Sequence, residues 1–162
     1  MSVLYLVRHA AAEDPRAGQD DADRALTADG IRKFRRAAQG IVKLLEDQPP
    51  RVILTSPLLR ARQTAELLGE AFDNAKIRID LRVSEALAPP GRLQGLLKEA
   101  RRDDLIAVAH DPFLSEWIGT LCFGKPGRVQ LKKGSLAALE LAGHSASAEL
   151  WYLLQPAALR LI

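Results

Sequence analysis

Cysteine is nearly missing from this chain of 162 residues: Cys122 stands alone. A single thiol builds no disulfide framework and no zinc site based on cysteines. It lies in FLSEWIGTLCF, an apolar helical stretch, where it reads as a small core residue. Aromatic residues make up only 5% of the chain, too few for platforms on which single-stranded bases stack. No block of lysine and arginine stands out, and a formal net charge of +3 is too small to point to nucleic acid. No apolar run approaches the ~20 residues of a membrane span. The first apolar stretch is too short for a secretory signal and has no charged flank. These absences predict a cytoplasmic protein. Repeats, linkers and low-complexity tracts are missing too. Length and a hydrophobic content of 48% predict a single domain over residues 1–162 with a sizeable core.

What the chain does have is alternation. VLYLV (3–7) is apolar on both faces and predicts a buried strand. After the polar loop AAEDPRAGQDDADRA, Thr27 reads as the N-cap of a helix. Its apolar face runs Ile31, Phe34, Ala38, Ile41, Val42, Leu45, and Pro49 and Pro50 stop it. RVILTS (51–56) predicts a second strand; Ser56 as N-cap with Pro57 at the first helical position then predicts a helix through LLRARQTAELLGEAF. KIRIDLRV (76–83) alternates as a third strand, GRLQGLLKEAR forms a short helix, and DLIAVAH (104–110) a fourth strand. Pro112 marks the start of another helix, and SLAALELAGHSASAELWYLL predicts a C-terminal antiparallel hairpin with His144 in its turn. The expected fold is α/β: a three-layer α/β/α sandwich about a largely parallel central sheet.

In such sheets ligands bind beyond the carboxyl ends of the strands. Three predicted strand ends carry polar groups: Arg8-His9, Ser56 leading to Arg60, and His110. Alone, Arg8 reads as a solvated or ion-paired residue and His9 as a satisfied buried histidine; together the groups read as a site. Two imidazoles and two guanidiniums without an acidic cluster argue against a metal and for an oxyanion held in arginine forks. The helix start after Ser56 adds free N–H groups, and phosphate is the natural guest. A neutral imidazole facing phosphorus is a competent nucleophile at pH 7, with Arg8, Arg60 and His110 neutralising the equatorial oxygens.

These residues carry a resemblance. LVRHA resembles the Arg-His-Gly signature of the histidine phosphatase superfamily, the group of the phosphoglycerate mutases. TSPLLRARQTAELL is similar to that family's second-arginine motif, AVAHDP to its second-histidine motif, and LTADG to the opening of its first long helix. The short chain and the VRHAxAE opening resemble the SixA branch of phosphohistidine phosphatases. The resemblance implies a phosphoglycerate mutase-like fold, no cofactor, His9 as the phosphorylated nucleophile, and Arg8, Arg60 and His110 as the phosphate pocket, with Ser56 a weaker contact.

Two positions depart from the family pattern. Ala10 replaces the signature glycine, which is tolerable where φ is negative. The proton donor is open between Glu85, Asp111 and Glu13. A phosphoramidate leaves as imidazole and needs less acid help than an alkyl phosphate, so an ill-placed acid suits a phosphohistidine substrate. The expected activity is therefore removal of a phosphoryl group from a phosphohistidine-bearing protein, such as a phosphotransfer domain, by a monomer without a metal. A small-molecule phosphomonoesterase or mutase-like relative, and a silent phosphate-binding module, are the alternatives.

Other residues have plainer readings. Arg62 lies off the face of Arg60, while Gln63 and Thr64 suit hydrogen-bonding support. His144 faces solvent, and Trp117 and Trp151 belong to the core. Lys132-Lys133 is solvated loop charge unless a phosphoprotein docks there.

Overall fold

A computed structural model describes residues 2–73, 75–84, 92–127, 129–143 and 145–162. Strands β1 (Ser2–Arg8), β2 (Val52–Thr55), β3 (Lys76–Ile79), β4 (Leu105–Ala109), β5 (Leu136–Leu141) and β6 (Ala148–Leu154) form one sheet in the order β3-β2-β4-β1-β5-β6. The first four run parallel to one another, β5 pairs antiparallel to β1, and β6 antiparallel to β5. The helices are α1 (Ala28–Leu44), α2 (Leu59–Ala71), α3 (Arg92–Ala100), α4 (Phe113–Phe123) and α5 (Pro156–Leu159).

Strand periodicity explains the layers. Val3, Tyr5 and Val7 of β1 point to one face and pack with Phe34, Ala38 and Ile41 of α1 and Ala61, Ala65 and Leu68 of α2. Leu4 and Leu6 point to the other, where Leu96 and Leu97 of α3 meet Phe113, Leu114 and Ile118 of α4. A strand wedged between two helical layers must be apolar throughout, as LYLV is. Truncating one of these fully buried leucines to alanine costs about 2–5 kcal/mol.

Thr27 caps α1 as expected, its hydroxyl accepting from Gly30 N–H at 2.9 Å. Elsewhere the local reading needs correction. Ser56 does not cap α2: the helix begins at Leu59 and its N-cap position is Leu58. The third strand ends at Ile79, because the Asp80 side chain accepts from Arg82 N–H and turns 81–83 into a single 3-10 turn. Trp151 is 43% exposed on the edge strand β6, its indole N–H donating to Glu140, so it is not core, whereas Trp117 is buried. A second 3-10 turn, Asp21–Asp23, and the short helix α5 had no clear signal in the sequence. His144 lies outside the described residues. Among the described residues, no helix is long and apolar enough to cross a membrane.

Candidate active site at the carboxyl edge of the sheet

Register brings the site together. Arg8 pairs with Ala109 across β1 and β4, and Thr55 with Val108 across β2 and β4. The residues that follow, His9, His110 and Ser56, therefore leave the sheet side by side. Two backbone bonds extend the ladder past the strands: His9 N–H donates to Ala109 O at 3.0 Å, and Ser56 N–H to Val108 O at 3.3 Å. Residues 47 and 54 positions removed in the chain become neighbours because three strand ends align. The ring centroids of His9 and His110 lie 5.1 Å apart.

His9 is 5% exposed. Its Nδ1 lies 2.7 Å from the carbonyl oxygen of Ala10. A carbonyl only accepts, so Nδ1 carries the ring proton and Nε2 keeps its lone pair. Burial, together with His110, Arg60 and Arg8, pushes the His9 pKa down to about 3, against the opposing pull of the Ala10 carbonyl. The imidazole is neutral at pH 7.

His110 is neutral as well, pushed down to about 4 chiefly by burial and then by Arg60. Its Nε2 lies 2.6 Å from Ser56 Oγ. That oxygen also accepts from Leu58 N–H at 3.3 Å. With the hydroxyl donating to Nε2, the ring proton of His110 sits on Nδ1.

The two arginines are held by different means. Arg8 Nη1 donates to Leu131 O at 2.6 Å and lies 3.5 Å from Asp111 Oδ2. Arg60, with a side chain 8% exposed, is gripped by the 3-10 turn: Nη1 donates to Asp21 O at 2.8 Å and Nη2 to Asp21 Oδ2 at 3.0 Å. Asp21 Oδ1 also accepts from Arg24 Nε at 2.8 Å. Arg24, with Arg60 behind it, holds the Asp21 carboxyl below the usual carboxylate range. Asp21 and Arg24 went unnoticed in the sequence. The only signal was an acid-rich run, DADR, just ahead of LTADG.

Thr64 lies on the face of Arg60 and ties the two motifs together. Its hydroxyl accepts from Ala10 N–H at 3.0 Å and donates to Arg60 O at 2.7 Å. Gln63 Oε1 accepts from Leu26 N–H at 2.7 Å and pins the loop ahead of α1. Ala10 itself is unstrained: among the described residues Asp73 is the one non-glycine with positive φ, and the Ala10 side chain is buried in the core beneath α1 and α2.

The three candidate acids fare differently. Asp111 Oδ1 accepts from Ser115 N–H at 3.2 Å and Ser115 Oγ at 2.8 Å, so the carboxylate caps the start of α4 and faces Arg8. Glu13 pairs with Arg16 at 3.5 Å at the surface. Glu85 lies outside the described residues.

Arg8 Nε, Arg60 Nε and His110 Nδ1 are buried without a hydrogen-bond partner. Buried donors are normally satisfied. Here they belong to three residues whose charge or ring acts on His9, so they suit a guest with several acceptor oxygens and negative charge.

Comparison with known proteins agrees with this geometry. The family model of the histidine phosphatase superfamily (branch 1) matches residues 4–113. An uncharacterized protein of Picosynechococcus sp. (strain PCC 7002) is 39% identical, over 84% of this chain and 83% of its own. Among solved structures, the protein histidine phosphatase SixA complexed with tungstate superposes with a TM-score of 0.79 at 21% identity, covering 96% of this chain and 97% of that one. The alpha-ribazole phosphatase of Shigella flexneri superposes with a TM-score of 0.71 at 20% identity, covering 95% and 96%.

Proposed function

The chain belongs to the histidine phosphatase superfamily, and from that premise we propose that it is a phosphohistidine phosphatase acting on a phosphoprotein through a covalent intermediate on His9. The carrying observation is the set of unpartnered buried donors on Arg8, Arg60 and His110 around a neutral His9 whose proton is fixed on Nδ1. A phosphoryl group held by those donors presents phosphorus to the Nε2 lone pair. Nε2 attacks, the P–N bond of the substrate breaks, and its electron pair leaves on the substrate imidazole. The Ala10 carbonyl stabilises the positive charge that the His9 ring gains. Water then attacks phosphorus, releasing phosphate and returning His9 to its neutral form. Arg8, Arg60 and His110 bind the three equatorial oxygens throughout, which favours turnover without a metal ion.

The choice of a nitrogen-linked substrate rests on the carboxylates of the site among the described residues. Asp21 is held ionised by Arg24 and Arg60, and Asp111 is committed as a helix cap, so neither suits the role of proton donor. A phosphoimidazole that carries its second ring proton departs as neutral imidazole and needs no donor, whereas an alkoxide needs one. The likeness of fold to SixA, solved with the oxyanion tungstate, is consistent with this reading.

The test is phosphate release from a phosphohistidine-bearing phosphotransfer domain and from p-nitrophenyl phosphate, with a chelator present, for wild type and His9→Ala. Fast release from the protein, slow release from the ester and neither in the variant is the expected result. Preference for the ester overturns the phosphohistidine reading and favours a small-molecule phosphomonoesterase. No release from either leaves a phosphate-binding module.

A further inference from the structure

A groove of about 390 Å³ runs beside the clamp, on the α1 side of the loop that follows His9. Arg8, Lys33, Lys132, Lys133 and Arg160 line it, and no aspartate or glutamate does. Lys33 is paired with Asp29 at 2.8 Å. Among the described residues, no carboxylate comes within ion-pair distance of Lys132, Lys133 or Arg160.

The lysine pair is fixed relative to His9. Gly134 N–H donates to the carbonyls of Arg8 and His9 at 3.0 and 3.1 Å, and Arg8 N–H donates to Ser135 O at 3.1 Å. Gly134 sits at φ +88, with the ring of Phe34 3.3 Å from where a Cβ would lie, so the loop needs glycine to fit there. The lysine side chains are exposed, while their backbone is fastened to the strand end that carries the proposed nucleophile. The 3-10 turn that holds Arg60 carries Asp20, Asp21 and Asp23, and of these Asp21 is paired with Arg24 and Arg60, so the unpaired positive charge lies on the lysine side.

We propose that this groove docks an acidic segment of the substrate protein next to the phosphohistidine that reaches His9; the assignment rests on the phosphohistidine reading above. A single small anion is best gripped by buried, forked guanidiniums, as in the clamp itself. The groove instead spreads exposed, flexible ammonium groups over α1 and the 131–135 loop, with Arg160 beyond α5. That spread matches several carboxylates spaced along a chain.

Two synthetic peptides test it, each carrying one chemically phosphorylated histidine, flanked in one by glutamates and in the other by glutamines. At low salt the wild type should show kcat/KM about five- to tenfold higher on the acidic peptide, a gap that added salt narrows. In Lys132→Gln/Lys133→Gln the ratio of acidic to neutral should fall toward one, with turnover of the neutral peptide reporting an intact fold. Equal rates on both peptides in the wild type overturn the docking proposal and leave the phosphohistidine reading standing. So does a preference that survives in the double variant. Hydrolysis of p-nitrophenyl phosphate with neither peptide cleaved overturns the reading, and the docking proposal falls with it.

Discussion

Asp21 grips Arg60 with both its backbone carbonyl and its carboxylate, at 2.8 and 3.0 Å, and so engages both terminal nitrogens of the guanidinium while leaving Nε without a partner. The grip orients the arginine, yet it also sets a carboxylate in competition with any anion for the same cation. Asp21→Asn removes the competing charge and keeps the backbone contact. Inorganic phosphate should then inhibit two- to fivefold more tightly, the range expected of an exposed ion pair, while kcat falls because Arg60 is less firmly aimed. Product-inhibition constants for wild type and variant check this. An unchanged constant with unchanged kcat would mean that the contact is incidental.

The two neutral imidazoles make stability depend on pH. In the unfolded chain each histidine titrates near 6.5; in the folded protein His9 and His110 are pushed down to about 3 and about 4. Below pH 6.5 the unfolded state therefore binds protons that the folded state refuses. The contribution is fully present above 6.5 and is lost as pH falls toward 4, by about 1.4 kcal/mol per pH unit for each histidine. Urea midpoints of the phosphate-free protein at pH 7.5 and 5 should separate more widely than those of His9→Gln/His110→Gln. Equal separations would show that the rings are not held neutral.

How much of this was legible in the sequence depends on distance along the chain. VLYLV and LIAVA announce buried strands, and Arg8-His9 and His110 stand out because charge follows directly on each. Arg60 was legible through its place one turn beyond Ser-Pro. Asp21 was not, because its meeting with Arg60 spans 39 residues and depends on how the loop ahead of α1 folds over α2. Ser56 was misread for a local reason: Ser-Pro is a strong start signal, yet the hydroxyl is drawn to His110 across the neighbouring strand, and the helix begins later. Trp151 shows the limit of composition, since an aromatic on an edge strand has only one covered face.

Thr64 supplies a test of the link between the two motifs. The residue is fully buried, and its hydroxyl is the partner of Ala10 N–H. Thr64→Val keeps the shape and leaves that N–H unsatisfied in the core, which should lower stability by about 1–3 kcal/mol. Because Ala10 carries the carbonyl that orients His9, kcat should fall as well. Thr64→Ser retains the hydroxyl and should restore most of both losses. A stable, active valine variant would show that the bond at 3.0 Å contributes little.

Ser56 Oγ and His110 Nε2 lie 2.6 Å apart, and which of them donates sets the tautomer of the ring. With the hydroxyl donating, Nδ1–H is the donor left for a phosphoryl oxygen. In Ser56→Ala the ring loses its only assigned partner, and both tautomers become accessible, one of which turns a lone pair toward the phosphoryl group and repels it. The expected loss is about tenfold in kcat, less than the roughly 10²–10³ of a deleted oxyanion donor because part of the population keeps the productive tautomer, with a stability loss of about 1–3 kcal/mol from the buried partners left unpaired. Ring nitrogen shifts of the labelled protein read the tautomer directly. The wild type should show His110 protonated on Nδ1 and the variant a mixture. A wild type protonated on Nε2 would reverse the assignment and make Ser56 the acceptor, leaving Arg8 and Arg60 as the pocket's donors.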